Sequence, residues 1–238
     1  ENKYPSLTGY IGNPAINITI MLLIIVGGIG FLTWDDICTN KWHFKKYRMQ
    51  SKVILVTTAI LIIAPAVFFF FCDFTGLPLA ERILASLFQS VTPRTAGFNT
   101  TDLPAMTGSS KAIMTLLMLV GGSPGSTAGG MKTTTLAVLI LSAFSVCRKK
   151  DDAEVCGRRI DGSTVKNAAA VAVMYFLLFF VGGIVISTAE GLPLSTCLYE
   201  TASAVGTVGL TLGITPQLGV LSQLILIVLM SQWYTPME

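Results

Sequence analysis

The amino-acid sequence predicts an all-α membrane protein built from repeated units, each a span, a short helix with an irregular polar return, and a second span. Three observations predict it. Of the 238 residues, 52% are hydrophobic and 12% are charged, about half the charged share of a soluble domain. The apolar residues fall in blocks long enough to cross a bilayer, which takes about 20 residues of helix. The tetrapeptide Gly-Leu-Pro-Leu occurs at 76–79 and again at 191–194, each time ahead of a short helical stretch and a Thr-x-Gly-x-polar segment. The net charge of +3 is small and the basic residues are clustered, a pattern that argues membrane orientation and not nucleic-acid binding. Cys38, Cys72, Cys147, Cys156 and Cys197 have no paired spacing and His43 stands alone, which argues against a zinc site.

Residues 1–13 are polar and read as a loop on one face of the membrane; a polar start followed by a full-length span does not read as a signal peptide. Residues 14–37 form the first span, with Pro14 in its first turn. Gly27, Gly28 and Gly30 inside it allow close helix contact and read as packing residues. Lys41, His43, Lys45, Lys46, Arg48 and Lys52 make a short basic connection, cytoplasmic by the positive-inside rule. Residues 53–71 run outward as the second span, with Pro65 expected to kink the helix without ending it. Phe68 to Phe71 read as lipid-facing or interfacial rings.

Asp73, Glu81 and Arg82 mark the outer surface. The stretch 79–92 can form a helix of roughly 21 Å at 1.5 Å per residue, too short for a hydrocarbon core of about 30 Å. It leads into Thr95, Ala96, Gly97, Phe98 and Asn99. A short helix with an irregular polar return is the pattern of a re-entrant loop, tolerated at membrane depth only when buried in protein or lining a wet cavity. Residues 109–146 are then apolar over nearly twice the length of a span, interrupted by Gly121, Gly122, Ser123, Pro124, Gly125, Ser126, Thr127, Ala128, Gly129 and Gly130. Five glycines and a proline in ten residues predict a broken helix with a loop inside the membrane.

Arg148, Lys149, Lys150, Arg158, Arg159 and Lys166, mixed with Asp151, Asp152, Glu154 and Asp161, form the second cytoplasmic connection. Residues 167–189 are the next outward span, 194–204 a second short helix, and Thr207, Val208, Gly209, Leu210 and Thr211 its return. Residues 218–230 begin one more span, which Ser231-Gln232-Trp233 does not continue. The chain therefore divides into 1–50, the last helix of an upstream unit plus its connection; 51–150, a complete unit with a broken second helix; and 151–238, a connection and an incomplete final unit.

A dehydrated cation needs several oxygen ligands at a fixed distance, and backbone carbonyls of an extended loop provide them without burying charges. Gly97 and Gly209 fit the positions where φ must turn for successive carbonyls to face one side. Thr95 and Thr207 can add oxygens at the inner end. Glu200, on the second short helix, reads as a support that accepts backbone N–H groups of the loop. The Gly125 to Thr133 stretch superficially resembles a phosphate-binding loop, but Met131 separates Gly130 from Lys132 and breaks the GxxxxGK[ST] spacing. No span carries paired carboxylates or a nucleophile–base set, so no enzyme is expected.

Thr92-Pro93-Arg94-Thr95-Ala96-Gly97-Phe98-Asn99, the 121–130 break followed by Met131-Lys132, and Ala204-Val205-Gly206-Thr207-Val208-Gly209-Leu210 together resemble the Trk/Ktr/HKT superfamily of potassium transporters, bacterial Ktr/Trk membrane subunits in particular. The resemblance implies four span–pore helix–span repeats in the full-length protein, pseudo-fourfold about one pore. It makes Thr95 to Asn99 and Thr207 to Thr211 the third and fourth filter segments around K+. It makes the 121–130 loop, with Lys132, the gate beneath them. It implies potassium uptake across the bacterial plasma membrane by a multi-pass subunit, with Na+ as a candidate coupling ion and no organic cofactor. The expected partners are membrane lipid, a second copy in a homodimer and a cytosolic nucleotide-binding regulatory ring docking on the basic connections; nucleic acid is not among them. The alternatives are a sodium-permeable or non-selective cation channel of the same fold, since the residue at the first segment's glycine position helps set preference in this family, and a non-conducting membrane scaffold. The family's last helix carries a Gly-Arg stretch that this sequence lacks after Met230, so the chain by itself is expected not to conduct.

Overall fold

A computed structural model describes residues 6–41, 43–149, 154–155 and 158–231. Lys150, Asp151, Asp152 and Cys156 of the second basic connection, residues 1–5 of the first loop, and 232–238 lie outside the described residues. The described part is helical: α1 Pro14–Ile29, α2 Phe31–Asn40, α3 Met49–Cys72, α4 Leu79–Val91, α5 Gly108–Leu119, α6 Thr133–Cys147, α7 Gly162–Glu190, α8 Leu194–Val205 and α9 Val220–Ser231. A two-residue antiparallel pair, β1 Glu154–Val155 with β2 Arg158–Arg159, sits in the connection between α6 and α7.

Apolar run length sets the helix lengths. α3 has 24 residues and α7 has 29, or about 36 and 44 Å at 1.5 Å per residue, enough to cross a membrane. Ile60, Ile63 and Phe71 on α3 and Leu177, Phe180 and Ile184 on α7 are exposed, as lipid-facing positions require. The ring of Phe69, in contrast, is fully buried in the core and does not face lipid. α3 runs through Pro65 as one helix. α4 and α8, at 13 and 12 residues, are about 20 and 18 Å long and cannot cross.

The first span departs from expectation. The run at 14–37 is not one helix: α1 ends at Ile29, and α2 leaves at an angle of 99°. Gly30 takes φ 89° and ψ 146°, a region open essentially to glycine alone. A Cβ there would stand 2.5 Å from the Pro124 carbonyl oxygen. Unbroken hydrophobicity concealed the bend. Beyond the bend, Asp36 of α2 accepts a hydrogen bond from the Ser51 hydroxyl at 2.5 Å and from the Arg48 backbone N–H at 3.1 Å, fastening α2 to the start of α3. That donated hydroxyl, with the Arg48 amide and charge, holds the Asp36 carboxyl below the ordinary carboxylate range against the opposing effect of burial.

The two short helices occupy equivalent places. α4 packs on α3 and on α1, with Phe88 and Val91 against Met21. α8 packs on α7, α5 and α9, with Tyr199, Ala202 and Val205 in one core with Met114, Met118, Phe179 and Ile186. In a membrane this packing is driven by close contact and not by water exclusion. Gly182 and Gly183 of α7 allow it, because a Cβ at Gly183 would lie 2.5 Å from Leu198 of α8.

A second internal correspondence is invisible in the Gly-Leu-Pro-Leu pair. Asp73, ending α3, accepts from the Thr107 backbone N–H at 2.9 Å and from the Ser110 hydroxyl, and so caps α5. Glu190, ending α7, accepts from the Gly219 backbone N–H at 2.8 Å and the Ser222 hydroxyl at 2.5 Å, and so caps α9. Thr107 and Gly219, Ser110 and Ser222, Thr95 and Thr207, and Gly97 and Gly209 are all 112 residues apart. In each copy the long helix, α3 or α7, thus satisfies orphan N–H groups at the start of α5 or α9.

Candidate functional site

The backbone at 95–97 and 207–209 has one signature in both copies. Thr95 and Thr207 have φ of 57° and 52°, and Gly97 and Gly209 have φ of 74° and 89°. A left-handed residue at every second position turns successive carbonyls toward the same side. For threonine, the left-handed region is a strain that surrounding contacts must hold. They do: Val208 N–H donates to the Ser203 carbonyl at 2.8 Å and Gly209 N–H to the Ser203 hydroxyl at 3.1 Å. In the first copy Ala96 N–H donates to the Thr92 carbonyl at 3.3 Å, and the Thr92 hydroxyl donates to the Phe98 carbonyl.

The two segments meet. A Cβ on Gly97 would collide with the Val208 carbonyl oxygen and lie 3.4 Å from the Gly209 Cα. Gly97 and Gly209 both line an open cavity of about 910 Å³, together with Asn99, Thr101, Asp102 and Thr211. The carbonyls of Thr95, Ala96, Gly97, Thr207, Val208 and Gly209 accept no hydrogen bond from any described residue. Val208 and Leu210 turn their side chains into the core at 4% and 3% exposure, which leaves the backbone to the cavity side.

The outer carbonyls of the first segment are committed elsewhere, and in the second the Thr211 side chain is. The Phe98 carbonyl is taken by Thr92, and the Asn99 carbonyl accepts from Leu7 N–H at 3.0 Å. The Thr211 hydroxyl donates to Glu200 at 2.8 Å. Phe98 also departs from its counterpart Leu210, since its ring is 47% exposed.

The 121–130 loop lies directly against this place. A Cβ at Gly129 would overlap the Thr207 hydroxyl, and one at Gly130 would lie 3.5 Å from the Gly206 carbonyl oxygen. The loop closes on itself: Gly121 N–H donates to the Met131 carbonyl at 2.9 Å, Thr133 N–H to the Gly122 carbonyl at 3.0 Å, and the Lys132 ammonium to the Ala128 carbonyl at 2.9 Å. The Ser123 and Thr133 hydroxyls pair at 3.1 Å in a buried position. Its other support is the end of α1, whose last carbonyls have no partner within the helix. Ser123 N–H donates to the Gly28 carbonyl at 2.9 Å, Thr127 N–H and hydroxyl to that of Gly27 at 3.4 and 3.3 Å, and the Trp34 indole N–H to that of Val26 at 2.9 Å. Phe31 N–H donates in return to the Gly125 carbonyl at 3.1 Å. Gly27, Gly28 and Gly30 therefore hold the loop, a role beyond helix packing.

Arg94, next to Thr95, is a buried cation. Its guanidinium reaches the Thr58 hydroxyl at 3.3 Å and approaches Gly28, while its Nε and Nη1 have no partner among the described residues. Glu200, expected to support the second segment, does so: its carboxylate accepts from Thr211, from the Leu212 backbone N–H at 2.8 Å and from the Thr215 hydroxyl at 2.7 Å. The side chains that sequence reasoning missed are Gln89, Ser203, Trp34, Asp73 and Glu190. A constant spacing of 112 residues from Thr95 to Ser110 was the signal that could have led to the caps.

Over residues 3–232 the chain matches the TrkH family model, described as cation transport protein. It is 35% identical over 231 residues to the Ktr system potassium uptake protein B of Bacillus subtilis, covering 94% of this chain and 52% of that protein. It is 38% identical over 227 residues to the potassium/sodium uptake protein NtpJ of Enterococcus hirae, covering 92% and 50%. The fold is similar to the crystal structure of the potassium transporter TrkH from Vibrio parahaemolyticus, with a TM-score of 0.76 at 19% identity over 95% of this chain and 51% of that one. The chain spans about half the length of the curated relatives it matches.

Proposed function

The chain belongs to the TrkH cation transport protein family, and from that premise we propose that it forms two of four filter-bearing units of a potassium uptake subunit. The observation that carries this reading is that the carbonyls of Thr95, Ala96, Gly97, Thr207, Val208 and Gly209, on two converging segments of alternating handedness, accept no hydrogen bond from any described residue. Backbone carbonyls at membrane depth need partners, and a permeating K+ stripped of water needs oxygens. Phe98, Asn99, Leu210 and Thr211 shape the outer end. The divisions 1–50, 51–150 and 151–238 are then the tail of one unit, a whole unit and part of another, and two more units complete a pseudo-fourfold ring.

The 121–130 loop, pressed on Thr207 from one side and held by α1 from the other, is the gate, with Lys132 bracing it. The basic connections at 41–52 and 148–166 support an orientation with the connections inside, consistent with a bacterial plasma-membrane location. They offer docking faces for a cytosolic nucleotide-binding ring, and a second copy completes a homodimer in lipid. The name of the Enterococcus hirae relative includes sodium, which keeps a Na+-permeable variant of the same reading in view and makes Na+ the first coupling ion to test. In the full-length protein, Gly209→Ser should abolish potassium-dependent growth rescue of an uptake-deficient strain. Full rescue by that variant would sink the filter assignment.

A further inference from the structure

Each short helix carries one buried polar side chain that reaches past its own filter segment to the chain leaving it. On α4 the Gln89 side-chain carbonyl accepts from the Thr101 hydroxyl at 3.1 Å, 12 residues on, and Gln89 is 0% exposed. On α8 the Glu200 carboxylate, 4% exposed, accepts from Thr211 and Leu212, 11 and 12 residues on, and from Thr215. The two struts do the same mechanical work, joining a short helix to the strand of chain that follows the loop. One is a neutral amide and the other a carboxylate.

The difference has a physical cost. A buried carboxylate is expensive at membrane depth unless it is paired. Three donated hydrogen bonds solvate Glu200, but no Lys, Arg or His among the described residues forms an ion pair with it. Gln89 shows that a neutral amide can tie a short helix to the chain beyond its loop through one hydroxyl, whereas Glu200 accepts three hydrogen bonds on two oxygens. Beside that positional role, its charge has no cationic side chain to meet among the described residues and acts on any cation held close to Thr211. The open cavity lined by Gly209 and Thr211 is where such a group can sit.

We propose that Glu200 is a positioning residue for the second filter segment whose fixed negative charge, standing behind that segment, raises the affinity of the path for its cation. The proposal rests on the filter reading above. Ion and carboxylate interact through the loop and not by coordination, so the effect belongs in the half-saturating cation concentration more than in the maximal flux.

The test uses the full-length protein in liposomes, with K+ influx measured over a range of K+ concentrations for wild type, Glu200→Gln, Gln89→Glu and Gly209→Ser. Glu200→Gln should keep the strut and lose the charge, raising half-saturation by about tenfold, the effect of one charge at roughly 10 Å in a medium of effective dielectric constant near 20, with maximal flux within about twofold. Gln89→Glu should shift half-saturation the other way, which keeps the proposal testable if Glu200→Gln fails to assemble. Unchanged half-saturation in both variants, or a loss confined to maximal flux, overturns the charge role. If Gly209→Ser is dead while those two behave as wild type, the filter reading survives and this proposal falls; if Gly209→Ser conducts normally, both fall.

Discussion

Replacing Gly30 by alanine tests whether the break in the first span exists to seat the 121–130 loop. The perturbation has two parts. Gly30 sits at φ 89° and ψ 146°, where a side chain costs about 1–3 kcal/mol of backbone strain. The added methyl would also stand 2.5 Å from the Pro124 carbonyl oxygen, whereas ordinary contact begins at 3.4 Å, so Pro124 or Gly30 must move by roughly an ångström. On either side of that contact are the Ser123-to-Gly28 and Phe31-to-Gly125 hydrogen bonds at 2.9 and 3.1 Å, each worth about 0.5–1.5 kcal/mol net. Taking the strain and one lost hydrogen bond together gives about 3 kcal/mol, or on the order of a hundredfold shift from the seated toward the displaced loop. The assay is K+ flux through the full-length protein in liposomes without any regulatory subunit, beside its melting temperature in detergent. Gly76→Ala is the control, because a Cβ at Gly76 meets nothing within 4 Å. Gly30→Ala should raise basal flux and lower the melting temperature, and the control should do neither. A Gly30→Ala protein with wild-type basal flux and wild-type melting would refute the idea that the break seats the loop.

Two further outcomes follow from other contacts. Asp73→Ala and Glu190→Ala each remove a carboxylate that caps another helix, so each should destabilise the full-length protein by about 1–2 kcal/mol, read as a fall in melting temperature; equal loss in the two variants is expected from their equivalent places, and no loss in either would dissolve the correspondence. Asp36 is held below the ordinary carboxylate range, mainly by the Ser51 hydroxyl. Its contribution to the α2–α3 junction is therefore complete above the unfolded value of about 3.9 and is lost as pH falls through the lower folded value. The stability gap between wild type and Asp36→Asn should be constant near neutrality and close below about pH 4; a gap that grows on acidification would contradict the assignment.

The spans at 53–71 and 167–189 and the short helices were legible because length and apolarity decide them locally: 79–92 and 194–204 differ from the ends observed, Val91 and Val205, by a single residue each. The bend at Gly30 was not legible. Gly27, Gly28 and Gly30 sit in an unbroken apolar run, and a glycine in such a run looks the same whether it packs a helix or ends one. The Pro124 carbonyl that forbids a side chain at Gly30 comes from 94 residues away, and no local pattern announces it. The caps made by Asp73 and Glu190 were hidden for the same reason, since each partner lies at the start of a helix beyond the intervening short helix and loop. Glu200 was readable, because a lone acid on a short helix ahead of a polar loop has few other groups to serve. Gln89 was not, because an amide gives no such signal and its role is visible only beside Glu200.

If the 121–130 loop is the gate proposed above, its support has a consequence for how it would let go. The loop is held by N–H groups given to the carbonyls of Gly27 and Gly28, which have no helical partner to fall back on. Once the loop withdraws, those oxygens face whatever fills the space it vacates. If that is water, each lost bond is exchanged for another of similar strength, so release would be a hydration event with a small enthalpic penalty. A dry, apolar seat of the same area would have had to be pulled apart against its own cohesion.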